Sequence, residues 1–243
     1  MVAKQIRASA GWWLQADGTN IHIDPGPGAL VRTLNAIPAL DPATLDAILV
    51  SHKHLDHAGD INAVIEAMCQ GGWRPRGTLC VPRDAVAEDA QPVVLPYARR
   101  FVPNEWIIEG GAGPYEIGSV KLTASIRLQH PVETYGMHMA TPSARVSYLP
   151  CTRYFDAILE DYRAQTPDVL VMNVLRYRDT MDVDHLTFDD ARTLIEGIRP
   201  GAAILSHFGT RMLERNPAAL ARELEDATGI KTFAAYDGWT YDV

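Results

Sequence analysis

The sequence predicts an α/β fold in which short strands alternate with helices, within a single domain spanning residues 1–243. Three observations support this prediction. Apolar runs of strand length are followed by segments whose apolar residues recur at helical spacing, as at 45–50 and then 61–68. A chain of 243 residues can bury a sizeable core as one domain when two sheets contribute to it. The hydrophobic fraction of 47% and the charged fraction of 21% are those of a soluble globular protein.

Charge and cysteine content restrict the compartment and the partners. The formal net charge of −8 argues against a nucleic-acid partner, because phosphate backbones are bound by clustered Lys and Arg. No apolar run is long enough to span a bilayer, and the residues before Trp12 and Trp13 do not form a signal-peptide core. Three scattered cysteines, Cys69, Cys80 and Cys151, are too few for a disulfide framework and fit a reducing compartment. We therefore expect a cytoplasmic protein that acts on a small molecule, has no membrane partner and could form a homo-oligomer.

The N-terminal segments predict a β-hairpin. Residues 12–14 and 21–23 have the composition of short strands, and the Asp17-Gly18 pair between them suits a tight reversal. His22 is interpreted as structural, because the isoleucines on either side of it would face the other side of the strand. Asp24 and the Pro-Gly pair after it then end the second strand.

The segment Ser51-His52-Lys53-His54-Leu55-Asp56-His57 carries the chemistry of the sequence. It lies between the apolar run and the helix-periodic segment named above, so it occupies a strand-to-helix turn. His52 and His54 can project in the same direction from extended backbone, while Asp56 and His57 turn back from the start of the helix. Neutral imidazole and carboxylate both suit zinc. The turn is therefore predicted to bind metal, and a second metal can share it if ligands arrive from elsewhere in the chain.

Later segments continue the alternation of strands and helices. Strands are predicted at 78–81, 105–108, 120–128, 137–139, 145–149, 168–175, 202–205 and 231–235. Helices are predicted at 154–164, from Thr187 to a stop at Pro200, and from Asn216 to Gly229. Thr187 followed three residues later by Asp190 has the capping-box arrangement. Cys69 and Cys80 fall on a helix and a strand and are interpreted as core residues, and His138 is expected to pack in or beside its strand.

The residues from His52 to His57 resemble the His-x-His-x-Asp-His signature of the metallo-β-lactamase superfamily. Later segments are similar to its ribonuclease Z-like and phosphodiesterase branch. The resemblance covers nearly the whole chain and implies a four-layer αββα sandwich with a metal site at one edge. It also implies that His130, at the end of a strand, and His207, in Ser206-His207-Phe208-Gly209, are ligands.

The resemblance implies a dinuclear site. One ion would be held by His52, His54 and His130, and the other by Asp56, His57 and His207. Both ions are expected to be divalent transition metals, with Zn²⁺ favoured and Mn²⁺ or Fe as alternatives.

Cys151 departs from the family's pattern. The strand at 145–149 usually leads to an Asp whose carboxylate bridges the two metals, and this chain has Cys151 there. A thiolate is a good zinc ligand and can bridge, although metal–sulfur bonds are about 2.3 Å long against about 2.0–2.2 Å for oxygen. Two alternatives remain open: the second site is weak, or the thiol is a bystander. Asn173 stands near a place where family members often carry an acidic residue, so a contact behind the ligands is expected to differ as well.

The implied activity is that of a metal-dependent hydrolase using a metal-activated hydroxide. Asp56 and His185 are the candidate catalytic residues, and His185 matches a position where the phosphodiesterase branch has a general acid for the leaving group. A histidine at a helix N-terminus can also simply cap or pack. A small phosphodiester or related phosphorylated compound is the favoured substrate. The alternatives are a lactonase or thioester hydrolase, whose motif often continues as Ala58-Gly59 does here, and a non-hydrolytic metal-binding or sensor protein, because Cys151 replaces the usual bridge.

Overall fold

A computed structural model of the protein describes residues 6–9, 11–178 and 183–243. The described residues form a mixed α/β structure with two sheets, as the sequence predicts. They divide into two compact units, one comprising Met1–Glu109 with Pro114–Lys121 and the other Gly110–Gly113 with Leu122–Val243. The single domain over 1–243 stays a prediction.

The first sheet has five strands in the order β1-β2-β3-β4-β5. They are β1 (Trp12–Ala16), β2 (Thr19–Ile23), β3 (Ala47–Leu49), β4 (Thr78–Pro82) and β5 (Asn104–Ile108). The predicted hairpin is β1 and β2, which pair antiparallel, whereas the remaining neighbours are parallel. The helices of this part of the chain are α1 (Ala29–Leu34), α2 (Leu55–Ala58), α3 (Ile61–Met68) and α4 (Pro96–Arg99), with short 3₁₀ turns at Pro42–Thr44, Arg83–Ala85 and Glu88–Ala90.

The core of the first unit is built by the apolar face of α3. Ile61, Val64, Ile65 and Met68 recur at helical spacing, are fully buried, and share one cluster with strand residues such as Ile48. Burying each such side chain contributes roughly 1.5–3 kcal/mol. This packing fixes the helix that follows the histidine-rich segment. Cys69 and Cys80, which the sequence analysis interprets as core residues, are both buried.

The second sheet has seven strands in the order β12-β11-β10-β9-β8-β7-β6. They are β6 (Tyr115–Ile117), β7 (Val120–Arg127), β8 (Tyr135–Ala140), β9 (Arg145–Leu149), β10 (Val169–Asn173), β11 (Ala202–Ser206) and β12 (Lys231–Ala234). Strands β9 to β12 run parallel to one another, and β8 pairs antiparallel with β9. The helices of the second unit are α5 (Ala157–Ala164), α6 (Phe188–Ile198), α7 (Thr210–Glu214) and α8 (Pro217–Thr228). Because β9, β10 and β11 are parallel, the residues that follow them emerge at one edge of the sheet.

The predicted helix ends are confirmed at α6 and α8. The Thr187 hydroxyl accepts from the Asp190 backbone N–H, and the Asp190 carboxylate accepts from the Thr187 backbone, which completes the capping box. Asn216 and Pro217 begin α8, and Gly229 ends it with a left-handed φ of 70°.

Differences from the sequence prediction lie at element ends and in short elements. Strand β10 is shorter than the predicted 168–175, and the helix predicted from residue 154 begins at Ala157. Helices α1, α4 and α7 and strand β6 were not predicted, because elements of three to six residues carry too little periodicity. Within the described ranges, no helix combines the length and apolar character needed to cross a bilayer.

His22, interpreted from the sequence as structural, is buried in β2 with its ring centroid 5.6 Å from that of Trp13. Burial lowers the pKa of His22 from 6.5 to about 4, outweighing the attraction of Asp24 and Asp60. Among the described residues, its Nδ1 has no hydrogen-bond partner. The folded state therefore holds a neutral imidazole.

We expect His22 to make folding acid-sensitive. Above pH 6.5 the imidazole is neutral in both states, but between pH 6.5 and about 4 only the unfolded chain gains the proton, so stability falls as pH falls. By pH 5 the loss should be about 2 kcal/mol. Denaturant unfolding of the metal-free protein at pH 7 and pH 5 measures it, and His22→Leu should reduce the difference between the two values by that amount. An unchanged difference in His22→Leu would assign the acid sensitivity to other groups.

Candidate metal centre

The histidine-rich segment places four predicted ligand residues together in the first unit. Strand β3 ends at Leu49, the chain bends at Ser51, and α2 begins after His54 (φ −59°, ψ 145°). The ring of His52 lies 5.0 Å from that of His54 and 4.0 Å from that of His57, between centroids. Asp56 Oδ2 is 3.9 Å from His57 Nε2. His52 and His57 are buried and the other two side chains half-buried, so the cluster combines fixed ligands with access from solvent.

Asp24 supports this cluster from behind. Its side chain is fully buried, and Oδ2 accepts hydrogen bonds from His57 Nδ1 at 2.8 Å and from the Ser51 hydroxyl at 2.7 Å. Oδ1 accepts from the Ser51 backbone N–H at 2.6 Å, and the Ser51 hydroxyl also lies 3.0 Å from His52 Nδ1. One carboxylate thus orients two of the imidazoles. Because a carboxylate only accepts, His57 carries its proton on Nδ1 and keeps the lone pair on Nε2.

Asp24 also has an unusual backbone conformation. Its φ of 52° is in the left-handed region, which is uncommon for residues other than glycine, and its N–H donates to Leu49 O at 2.8 Å. From the sequence, Asp24 was placed in a strand-ending loop, and the family resemblance implied that a similar Asp-x-Gly loop lies near the metal edge. Its position before a Pro-Gly pair was the available signal, but its contact with Ser51 depends on the pairing of β2 with β3.

The second unit contains the remaining predicted site residues, and three of them, His130, Cys151 and His207, follow the carboxyl ends of its strands. Cys151 Sγ lies 3.8 Å from His207 Nε2, with Cys151 following β9 and His207 following β11. His130 follows β7, and its Nδ1 donates to the Asp184 carbonyl at 3.0 Å, which leaves the Nε2 lone pair available. The ring of His185 lies 5.2 Å from that of His130 and 6.3 Å from that of His207. The other sequence expectation here also holds, since His138 is buried within β8.

His207 is aimed by an unusual stretch of backbone. Its φ of 59° is left-handed, and two residues later the Gly209 N–H donates to the Leu175 carbonyl at 3.0 Å. A Cβ at position 209 would lie 2.6 Å from that carbonyl oxygen, so only glycine fits without movement of the backbone. Strain of this kind concentrates where the surrounding structure holds a functional group in place.

The donors present fit divalent transition metals. Imidazole nitrogens, a carboxylate and a thiol are the ligand types that zinc and its neighbours prefer. His57 and His130 both donate Nδ1–H to an oxygen, which is the support that metal-binding histidines ordinarily have. The side chains of each unit are therefore prepared for metal binding before any ion arrives.

Comparison with known proteins identifies the family. The sequence model of the Beta-lactamase superfamily domain matches residues 19–208, a range that contains all the predicted ligands. The chain belongs to the metallo-β-lactamase superfamily. This confirms the resemblance drawn from the histidine-rich motif, and superfamily members are mostly hydrolases.

Relatives of this metallo-β-lactamase superfamily chain include ribonuclease Z-like and metallo-hydrolase proteins. The probable metallo-hydrolase YhfI of Bacillus subtilis is 24% identical over 205 residues, covering 82% of this chain and 80% of that protein. A ribonuclease Z of Kineococcus radiotolerans is 31% identical over 144 residues, covering 58% of this chain and 45% of that protein.

Solved structures show the same fold. The crystal structure of YhfI matches with a TM-score of 0.77 at 22% identity, covering 96% of this chain and 91% of that one. A diphosphatase of the PhnP family matches with a TM-score of 0.70 at 19% identity, covering 97% and 85%. Other proteins of this fold hold Zn²⁺ or two irons. The α/β metallo-β-lactamase fold is therefore confirmed, and the fold is one that binds divalent metals.

Proposed function

We propose that the protein is a dinuclear metallo-hydrolase acting on a small phosphodiester or related phosphorylated compound. One ion would be bound by His52, His54 and His130, and the other by Asp56, His57 and His207, with Cys151 at the usual bridging position. The family pattern supports this assignment. The observation that carries the substrate class is His185, whose ring lies beside those of His130 and His207 and whose Nδ1 has no hydrogen-bond partner within the described ranges.

Each of the proposed site residues would have a separate role in the reaction. Divalent ions held by these residues, Zn²⁺ by ligand type, would supply Lewis-acid chemistry and a hydroxide available near neutral pH. The Asp56 carboxylate, half-buried at the first turn of α2, would accept a hydrogen bond from the attacking water and orient it. His185 would donate a proton to the departing alkoxide. Asp24 would keep the His57 ring in the orientation and tautomer that the site needs.

Two arginines that pack against the Tyr177 ring support an anionic substrate. The guanidinium carbon of Arg215 lies 4.0 Å from the centroid of the Tyr177 ring, and that of Arg178 lies 5.4 Å from it. Guanidinium groups bind phosphate through paired N–H donors, so they would offer a phosphorylated compound a local positive charge in an acidic protein.

Backbone contacts locate the segment that leads to Tyr177. The Leu175 carbonyl accepts from Gly209 N–H at 3.0 Å, and the Arg176 N–H donates to the Leu186 carbonyl at 3.2 Å. The segment leading to Tyr177 therefore runs between the segments that carry His207 and His185.

Substitution of His185 should depend on the leaving group. His185→Ala is expected to lower kcat for phosphodiesters with alkoxide leaving groups by about 10²–10⁴-fold, because these need a proton, and to affect nitrophenyl diesters far less. Steady-state kinetics on both substrate types, with bound metal measured in parallel, test this. Equal losses on both substrates, or loss of metal, would indicate that His185 is structural.

A substrate screen separates the proposed function from its alternatives. The zinc- and manganese-loaded protein should hydrolyse a small phosphodiester in preference to a lactone or a thioester. Turnover of lactones or thioesters alone would favour the alternative that Ala58-Gly59 suggests. No turnover of any class by the loaded protein would favour a metal-binding or sensor role. An acidic chain with a small-molecule substrate remains our proposal over a nucleic-acid enzyme.

A further inference from the structure

Asn173 lies between two of the proposed ligands in the second unit. It is the last residue of β10, and its neighbour across the ladder in β11 is Ser206, which immediately precedes His207. On the other side, its amide Nδ2 lies 3.6 Å from Cys151 Sγ. The side chains of Asn173 and Cys151 are both buried, at 3% and 1% exposure. The contact is therefore shielded from competing water.

The amide group of Asn173 has the donors that this position requires. It offers two hydrogens, and the second is directed to the hydroxyl of Tyr148 at 3.1 Å. Tyr148 is itself held in β9, where Tyr162 OH donates to its carbonyl at 2.8 Å. With one hydrogen committed to a fixed phenol, the other is held in the direction of the sulfur. The contact is thus set by surrounding packing and does not depend on a mobile side chain.

Donor direction distinguishes an amide from a carboxylate here. A sulfur that binds metal has lost its proton, so it can only accept hydrogen bonds. An Asn at position 173 can donate to it, whereas an Asp could not and would place a second negative charge beside it. An Asn at 173 can therefore donate a hydrogen bond to a metal-bound Cys151 sulfur. Both residues stand at positions where members of the metallo-β-lactamase superfamily more commonly have a carboxylate.

We propose that Asn173 is a positioning residue whose N–H···S hydrogen bond holds the Cys151 sulfur in the rotamer that faces His207, so that the two side chains bind the same ion. A cysteine side chain has three staggered rotamers, and this contact selects the one in which Sγ lies 3.8 Å from His207 Nε2. The inference rests on the ligand set of the proposed function, but it does not depend on which substrate is hydrolysed.

Cobalt titration of the metal-free full chain provides the test. A thiolate bound to Co²⁺ gives a sulfur-to-metal charge-transfer band in the near ultraviolet, which imidazole and carboxylate ligands do not give. We expect this band in the wild type and its absence in Cys151→Ala. Asn173→Asp keeps the size of the side chain and removes the donor, so it should need about 10–100-fold more free Co²⁺ to develop the band. Asn173→Ala should weaken the band in the same direction without adding charge.

Two comparisons show whether Asn173 acts through the sulfur. In a Cys151→Ala background, Asn173→Asp should change Co²⁺ affinity by less than about twofold, because its partner is gone. Asn62→Asp is the control for the substitution itself, since the Asn62 amide also makes fixed hydrogen bonds, to Val93 O and Leu95 N, in the first unit. It should leave the band unchanged. Circular dichroism and thermal melting of each metal-free variant report on folding.

Several results would overturn the inference. Equal losses of Co²⁺ affinity from Asn173→Asp with and without Cys151 would show a structural role, and so would loss of folding in both Asn173 variants. A wild-type protein that binds two Co²⁺ ions without the sulfur band would remove Cys151 from the ligand set. None of these three results decides whether the protein is a hydrolase, which phosphodiester turnover tests separately.

Discussion

Replacing His54 with alanine is expected to remove most of the transition metal that the purified protein carries, and His52→Ala should do the same. Each ring is one of a small set of donors, and its loss removes both a bond and the geometry of the remaining ligands. The rings of His52 and His54 lie 5.0 Å apart, so neither can take the other's place without moving. Metal content after dialysis, measured by elemental analysis against protein concentration, gives the result directly.

His138→Gln is the matched control for these variants. His138 is also a buried histidine, but its ring nitrogens face Ser147 Oγ at 2.9 Å and Asp161 Oδ2 at 3.3 Å. It is not a proposed ligand, so its substitution should leave the metal content near that of the wild type. If His52→Ala and His54→Ala also kept their metal, the interpretation of the histidine-rich segment as a ligand set would be wrong.

Asp24→Asn is expected to lower both stability and metal affinity. The buried carboxylate accepts from His57 Nδ1, the Ser51 hydroxyl and the Ser51 backbone N–H, and an amide cannot serve all three donors. Breaking such a buried, charge-assisted network should lower the free energy of unfolding of the metal-free protein by about 3–5 kcal/mol. Because the His57 ring loses its support, metal affinity should fall by about 10–100-fold. Denaturant unfolding and chelator competition measure the two effects.

Asp17→Asn is the control that separates the loss of the Asp24 hydrogen bonds from the effect of placing Asn at a left-handed backbone position. Asp17 also has a left-handed φ, 44°, but it is exposed in the turn between β1 and β2. Its substitution by Asn should change stability by no more than about 0.5 kcal/mol and leave metal affinity unaltered. If Asp24→Asn behaved in the same way as Asp17→Asn, the network around Asp24 would not support the ligands.

The parts of the fold that could be predicted were those with local signals. Helix α3 shows its buried face as a spacing of apolar residues, and α6 shows its start as Thr187 followed by Asp190. The cluster of His52, His54 and His57 is likewise contained in one short segment, so a strand-to-helix turn is enough to assemble it.

What the sequence did not reveal depends on contacts between distant segments. Asp24 reaches Ser51 only because β2 and β3 are neighbours in the sheet, and no spacing within either segment records that pairing. Asn173 drew notice as a departure from a family pattern, but its two amide contacts, to Tyr148 and Cys151, required the register of β9 and β10. Short helices such as α7 were missed because one turn of helix has no periodicity to detect.

The close approach of Gly209 to Leu175 means that a residue without a side chain takes part in placing a ligand. Any larger residue at 209 would push against a main-chain oxygen, so the strain would be relieved by displacing the segment that begins at His207. A replacement there would therefore look like a ligand mutation in its effect on metal, although it removes no donor atom. Side-chain chemistry alone therefore does not identify every position that affects metal binding in this protein. Some positions act through the backbone torsions that they allow and through the space that they leave empty.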